Sequence, residues 1–107
     1  MVTAEQIQQG LPLARAASEA MYRKMGGDGY ACGFAWVDVF VDRTNSPQAK
    51  ELIRAGFRKD YKPKCLSLWD PAGLPVQNVD VKEVGARSLA DYLQSLGLTA
   101  YGCSRLD

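Results

Sequence analysis

The longest apolar run of the chain covers residues 30–42, YACGFAWVDVFVD, and its pattern predicts a central β-strand. Side chains alternate across a strand, so Phe34, Trp36 and Phe40 share one face while alanine and valines occupy the other. A strand that is apolar on both faces is typical of a sheet covered by helices on both sides. Asp38 interrupts the aromatic face, and we expect it near the sheet edge or the strand end, where it reaches water.

Three stretches with apolar residues at helical spacing predict helices. Each begins with a residue type that can accept a hydrogen bond from the first free backbone amides, and each is followed by a glycine that can end it in the left-handed conformation. The first also carries Gln6 three residues after its cap, which predicts a capping box. The predicted helices cover residues 3–25, with a break at Gly10 before a second piece at 12–25, then 47–55 and 80–96, with caps at Thr3, at Asn45 or Ser46, and at Asp80.

Two further strands, at residues 65–70 and 99–107, complete the order helix, strand, helix, strand, helix, strand. Such alternation favours parallel crossovers, and it predicts an α/β domain whose three-stranded sheet has helices on both faces. A ferredoxin-like α+β arrangement with a reversed strand is also compatible with the connection lengths. The 107 residues suit one globular domain, with an N-terminal helical segment at 3–25 and a sheet-containing core at 30–107.

The composition argues against several kinds of catalysis and against a secreted protein. There is no histidine, which removes the commonest general base and most catalytic zinc sites, and no phosphate-binding loop motif is present. We therefore predict no catalytic residues and no cofactor, and we favour a protein that is not an enzyme. Cys32, Cys65 and Cys103 lack metal-ligand spacing and are odd in number, so we predict buried thiols, no metal and a cytoplasmic location. No apolar stretch suits a membrane span.

Positive charge is concentrated in the middle of the chain. Residues 43–64 carry seven basic and two acidic groups, whereas each flanking segment carries three basic and five acidic ones. Clustered cations attract phosphates, and exposed aromatic rings can stack on unpaired bases, although a solvated run of charges would look the same. The predicted anion-binding or nucleic-acid-binding residues are Arg54, Arg58, Lys59, Tyr61, Lys62 and Lys64.

A second group of polar residues follows the ends of the predicted strands. If the strands are parallel, their C-terminal ends meet at one edge of the sheet, where open α/β folds bind ligands. An arginine there can hold an anion with two hydrogen bonds or pair with a neighbouring aspartate. The predicted ligand edge consists of Arg43, Asp70, Gln77, Asn78, Tyr101 and Arg105.

Several stretches resemble a group of small proteins of unknown function encoded by tailed bacteriophages and prophages. The similarity lies in YACGFAWV, AKELIRAGF and the segment from LWDPAG to the terminal AYGCSRLD, over about residues 30–107. The resemblance implies a phage or prophage origin and action inside an infected bacterium, and it brings no reaction or ligand. We expect a protein-interaction module that acts on a host or phage protein, with host defence as one target. Nucleic-acid binding and a small ligand-binding protein are the alternatives; a homodimer is compatible, and no membrane partner is expected.

Overall fold

A computed structural model describes residues 1–26 and 31–107. Tyr30, the first residue of the predicted central strand, lies outside the described residues. The helices are α1 (Ala4–Gln8), α2 (Leu11–Met25), α3 (Pro47–Arg54) and α4 (Val79–Ser95). The strands are β1 (Gly33–Phe40), β2 (Arg58–Lys59), β3 (Cys65–Trp69) and β4 (Thr99–Leu106).

Local capping signals placed most helix ends correctly. Thr3 and Gln6 form the capping box of α1, and the Ser46 side chain accepts the amide hydrogen of Ala49 at the start of α3. The helix α4, however, is capped by Asn78, whose side chain accepts from the next two free amides, and not by Asp80. Asparagine and aspartate are equally good caps, so two residues this close in sequence cannot be ranked by type.

The sheet has four strands in the order β2-β3-β1-β4, and all neighbours are antiparallel. Two split β-α-β units, β1-α3-β2 and β3-α4-β4, build the ferredoxin-like topology, so the α+β alternative is confirmed and the parallel three-stranded sheet is wrong. The cause is β2. It contains only two residues, too few for a hydrophobic period, yet it pairs with β3 and reverses the chain before β3 joins β1.

All the helices that enter the core pack on one face of this sheet. One buried cluster joins Ile7 of α1, Leu52 of α3 and Leu89 of α4 to the odd-numbered β1 positions, of which Val37 is fully buried. The backbones approach closely on this side, because a Cβ atom on Gly102 would lie 2.9 Å from the Cα atom of Arg87 in α4. The prediction of helices on both faces is therefore wrong for the described residues.

Candidate functional site

The even-numbered residues of β1 and their partners in the neighbouring strands form the second face of the sheet, which we call the open face. The register places them side by side, and no described helix packs over this face, although the Lys82 side chain of α4 reaches its edge. Its exposed rings include Phe40 at 37%, Trp69 at 49% and Tyr101 at 52% of full exposure. The open face consists of Phe34, Trp36, Asp38, Phe40, Arg58, Cys65, Ser67, Trp69, Thr99, Tyr101, Cys103 and Arg105.

Three aromatic side chains pack together at one end of the open face, and we call them the Trp69 cluster. The rings of Trp36 and Trp69 are opposite each other in the register and stack with centroids 4.7 Å apart and planes 19° from parallel. Phe34 meets Trp69 edge to face, with centroids 6.1 Å apart. Such pairs add about 0.5–1.5 kcal/mol beyond burial. The rings therefore stabilise each other without a second helical layer.

Two cations lie over the Trp69 cluster. The guanidinium of Arg105 is 5.4 Å from the ring centroid of Phe34 and 5.7 Å from that of Trp69. The ammonium of Lys82, which comes from α4, lies 5.5 Å from the Phe34 ring and donates a hydrogen bond to the Gly33 carbonyl. Neither cation forms a salt bridge with a carboxylate among the described residues. Both charges remain available to an anionic ligand.

A second aromatic pair lies at the other end of the open face, and we call it the Phe40 pair. Phe40 and Tyr101 meet edge to face with centroids 6.0 Å apart. A cavity of about 400 Å³ adjoins Phe40 and is lined by Met1, Phe40, Val41, Asp42, Ser46, Pro47, Gln48 and Leu98. This end of the face is therefore mainly apolar.

A buried ion pair separates the two aromatic groups. Asp38 is only 4% exposed; it accepts a hydrogen bond of 2.6 Å from Ser67 and lies 2.9 Å from the ammonium of Lys62, which also contacts Asp60 at 3.3 Å. The prediction that Asp38 reaches water is wrong, because the loop between β2 and β3 brings a cation over it. Burial would raise the pKa of Asp38, but the Ser67 hydrogen bond and the Lys62 charge together lower that pKa below its ordinary value.

Two of the three thiols lie close to this ion pair. Cys65 is 1% exposed, and its burial, followed by the negative charge of Asp38, raises its pKa to about 11. The same two causes raise the pKa of Cys103. The donor atoms of Asp38, Asp60 and Cys65 lie within 4.8 Å of one another, as in a metal site, but the Lys62 ammonium supplies the positive charge among the two carboxylates. Cys32 is exposed.

The structure divides the predicted basic segment. Arg54 pairs with Glu51 of α3 at 2.9 Å and with Glu5 of α1 at 3.4 Å, so its charge lies in the helical layer. Arg58 lies beside Ser67 and so belongs to the open face, whereas Lys59, the next residue of β2, points to the opposite face. The rest of the segment lies in the connection from β2 to β3 and comprises the exposed Tyr61 and Lys64 and the ion-paired Lys62.

The six residues of the predicted ligand edge are not brought to one edge, because neighbouring strands run in opposite directions. Arg105 pairs with Phe34, and Gln77 accepts the amide hydrogen of Gly33, so both lie beside the start of β1. Arg43 follows the other end of β1, and Tyr101 pairs with Asp38 in the middle. The remaining two, Asp70 and Asn78, lie near the start of β1, where Asn78 is fully buried.

Sequence reasoning missed the aromatic residues as a surface. Phe34, Trp36 and Phe40 were interpreted as core because they are apolar, and Trp69 was assigned only to a strand end. A signal was present in Asp38, since a polar residue on one face of a strand is typical of an antiparallel sheet with one solvated face. Lys82 gave no signal, because only the fold brings α4 beside Phe34.

Comparison with known proteins gives no further guide. No protein-family model, curated protein or solved structure matches this chain. The phage resemblance therefore stays a prediction. Among the described residues, no helix combines the length and the apolar character that crossing a bilayer requires.

Proposed function

We propose that this protein binds single-stranded nucleic acid on the open face of its sheet. The observation that carries the proposal is the pairing of partly exposed aromatic rings with cations that have no carboxylate partner among the described residues. Unpaired bases stack on such rings, and phosphates are attracted to the cations beside them. Arginine adds a flat charged group that can itself stack on a base.

The charge balance of the open face supports an anionic ligand. Arg58, Lys82 and Arg105 form no salt bridge with the described carboxylates. The two carboxylates near the centre, Asp38 and Asp60, share the single cation of Lys62, so the centre keeps one net negative charge against these three cations. The surface thus offers positive charge around its rings even though the whole chain has a net charge of only +1.

Architecture adds an analogy to this argument. RNA-recognition motifs bind unpaired bases on the aromatic side chains of a four-stranded sheet. Here the two central strands, β1 and β3, likewise carry the rings of the Trp69 cluster. A shared architecture does not by itself transfer a function, so the proposal depends on the side chains and not on the topology.

The test is a titration with a short oligothymidylate at low salt. Both tryptophans of the chain, Trp36 and Trp69, lie on the open face, so intrinsic fluorescence should be quenched on binding. Anisotropy of a labelled oligonucleotide then compares variants. We expect Trp69→Ala to weaken binding about tenfold, because stacking contributes about 1–3 kcal/mol per base.

Matched controls come from the helical layer. Tyr22→Ala removes a partly buried ring of α2, and Lys24→Ala removes an exposed cation of the same helix. We expect both to bind like the unmodified protein, whereas Arg105→Ala should bind more weakly. Absence of binding at low salt, or equal losses in the α2 variants, would contradict the proposal.

A protein partner is a second candidate, and the apolar cavity beside Phe40 favours it. Such a cavity can accept an apolar side chain of a host or phage protein, in keeping with the predicted interaction module. A tagged pull-down from bacterial lysate, with and without nuclease, separates the candidates. A partner that survives nuclease and is lost in Phe40→Ala would favour protein binding, and a nuclease-sensitive profile would favour nucleic acid.

A further inference from the structure

We infer that the open face holds two bases that are not neighbours in the bound strand, one on the Trp69 cluster and one on the Phe40 pair. This inference rests on the proposed function. It concerns how many nucleotides the site needs, which of its contacts bind phosphate, and which positions of the strand are read by stacking.

The distance between the two aromatic groups is too large for adjacent stacked bases. Trp36 and Phe40 are four residues apart on β1, about 13 Å at roughly 3.3 Å per residue, and Trp69 and Tyr101 are two strands and two residues apart, about 12 Å. Successive bases in a stacked strand rise only about 3.4 Å. A stacked strand would need about four steps to cover this distance, and a strand with splayed bases needs fewer. At least one nucleotide must therefore lie between the two bound bases.

The surface between the two groups is not a stacking platform. Asp38 and Ser67, which occupy it, are at most 5% exposed and are hydrogen-bonded to each other. Lys62 lies over them, and its ammonium is held by Asp38 and Asp60. A nucleotide over the ion pair meets a ring only on its β4 side, where Tyr101 lies in register with Asp38, so a base there that does not stack on Tyr101 should contribute little.

The two subsites differ in charge. Arg105 and Lys82 both lie within 5.5 Å of the Phe34 ring, in the Trp69 cluster. The rings of the Phe40 pair have no such cation among the described residues, and the carboxylate of Asp42 lines the adjoining cavity. Phosphate contacts should therefore concentrate at the Trp69 cluster, while the Phe40 pair should hold its base by stacking alone.

The first experiment is a length series of oligothymidylates from one to six residues. Once a strand reaches both subsites, the second contact becomes intramolecular and affinity rises sharply. We expect an increase of tenfold or more between the dinucleotide and the tetranucleotide, and little further gain. A tetranucleotide whose two inner positions lack bases should bind within about threefold of the intact one.

Single substitutions test which of the two subsites produces the rise in affinity with oligonucleotide length. Tyr101→Ala should remove the increase with length, and Trp69→Ala should weaken binding of the dinucleotide and the tetranucleotide alike. Lys24→Ala, in the helical layer, should leave both unchanged. Arg105→Ala should flatten the dependence of affinity on salt, since each phosphate contact contributes a slope of about −0.7 for single strands. Tyr101→Ala should leave that slope as it is, and Tyr22→Ala serves as the control for loss of a ring.

The outcomes separate this inference from the function on which it rests. Affinity that rises smoothly with length, or that falls strongly when the inner bases are removed, would overturn the two-subsite arrangement while nucleic-acid binding stands. If no oligonucleotide binds at low salt, the proposed function fails and the inference fails with it. A sharp step that Tyr101→Ala abolishes supports both.

Discussion

The two faces of this sheet are built from the same strands but from different kinds of side chain. On the helix-covered face, β1 presents Ala35, Val37 and Val39, which are at most 1% exposed. On the open face the same strand presents three aromatic rings and a paired carboxylate. Small aliphatic residues allow α4 to pack closely, whereas large rings can cover one another and still leave surface for a ligand. The stability of the fold therefore depends mainly on the helix-covered face, and the open face is the one that we propose for binding.

The largest expected effect comes from truncating one side chain on each face of the sheet. Leu89→Ala empties a fully buried position of α4, and we expect the free energy of unfolding to fall by about 2–5 kcal/mol. Trp69→Ala removes a half-exposed ring and should cost less than half as much while weakening oligonucleotide binding. Urea denaturation with a parallel binding assay measures both quantities. The division would break if Trp69→Ala were the more destabilising change.

The ion pair on the open face should be the exception, because it is buried without a helix above it. Lys62→Met leaves the Asp38 carboxylate without its cation, and we expect a loss of about 1–3 kcal/mol of unfolding free energy. The double variant Lys62→Met with Asp38→Asn removes both charges and should recover part of that loss. Urea denaturation of the two single variants and the double variant gives the coupling; additive losses would show that the pair contributes nothing.

A smaller effect at alkaline pH tests whether the Cys65 thiol, at the centre of the open face, is shielded from solvent. The folded state raises the pKa of Cys65 to about 11 from an ordinary value of 9.0, so the unfolded chain loses this proton first as pH rises. The contribution is fully present below pH 9.0 and should be lost between there and about 11, at most about 3 kcal/mol. The stability that comes from the raised pKa of Lys62 is fully present below its ordinary value of 10.5, so it does not change with pH over most of this interval.

The measurement is the free energy of unfolding at several pH values from 8 upward, for the unmodified chain and for Cys65→Ala. We expect the variant to lose less stability over the interval in which the thiol titrates. Equal slopes in the two proteins would mean that Cys65 is not closed off from solvent in the folded state.

The smallest effect is a difference in thiol reactivity. Cys32 is exposed, whereas Cys65 is buried and the pKa of Cys103 is raised, so only Cys32 should react quickly with iodoacetamide near neutral pH. Peptide mapping by mass spectrometry reads the three sites separately. Denaturant should equalise the rates. Rapid labelling of Cys103 in the folded protein would show that the open face is less ordered than its contacts imply.

The sequence by itself determined the local elements. Thr3 caps α1 as predicted, and Ser46, one of two predicted candidates, caps α3. Gly97, shortly after the end of α4, has a φ of 95°, as its lack of a side chain allows. The central strand and the strand at the C-terminus were also predicted, because their apolar alternation depends only on neighbouring residues. These features arise from the backbone and from side chains a few positions away.

Only the tertiary structure decided which strands are neighbours and which face is covered. The two residues of β2 carry no period, yet their pairing with β3 makes the whole sheet antiparallel. The apolar pattern of β1 is equally compatible with helices over the rings and with rings that stack on Trp69 and Arg105, which are distant in sequence. Asp38 likewise needed Lys62, a cation from another strand connection, to be buried in the centre. A hydrophobic pattern indicates which side chains will be shielded from water, but only the fold determines which residues shield them.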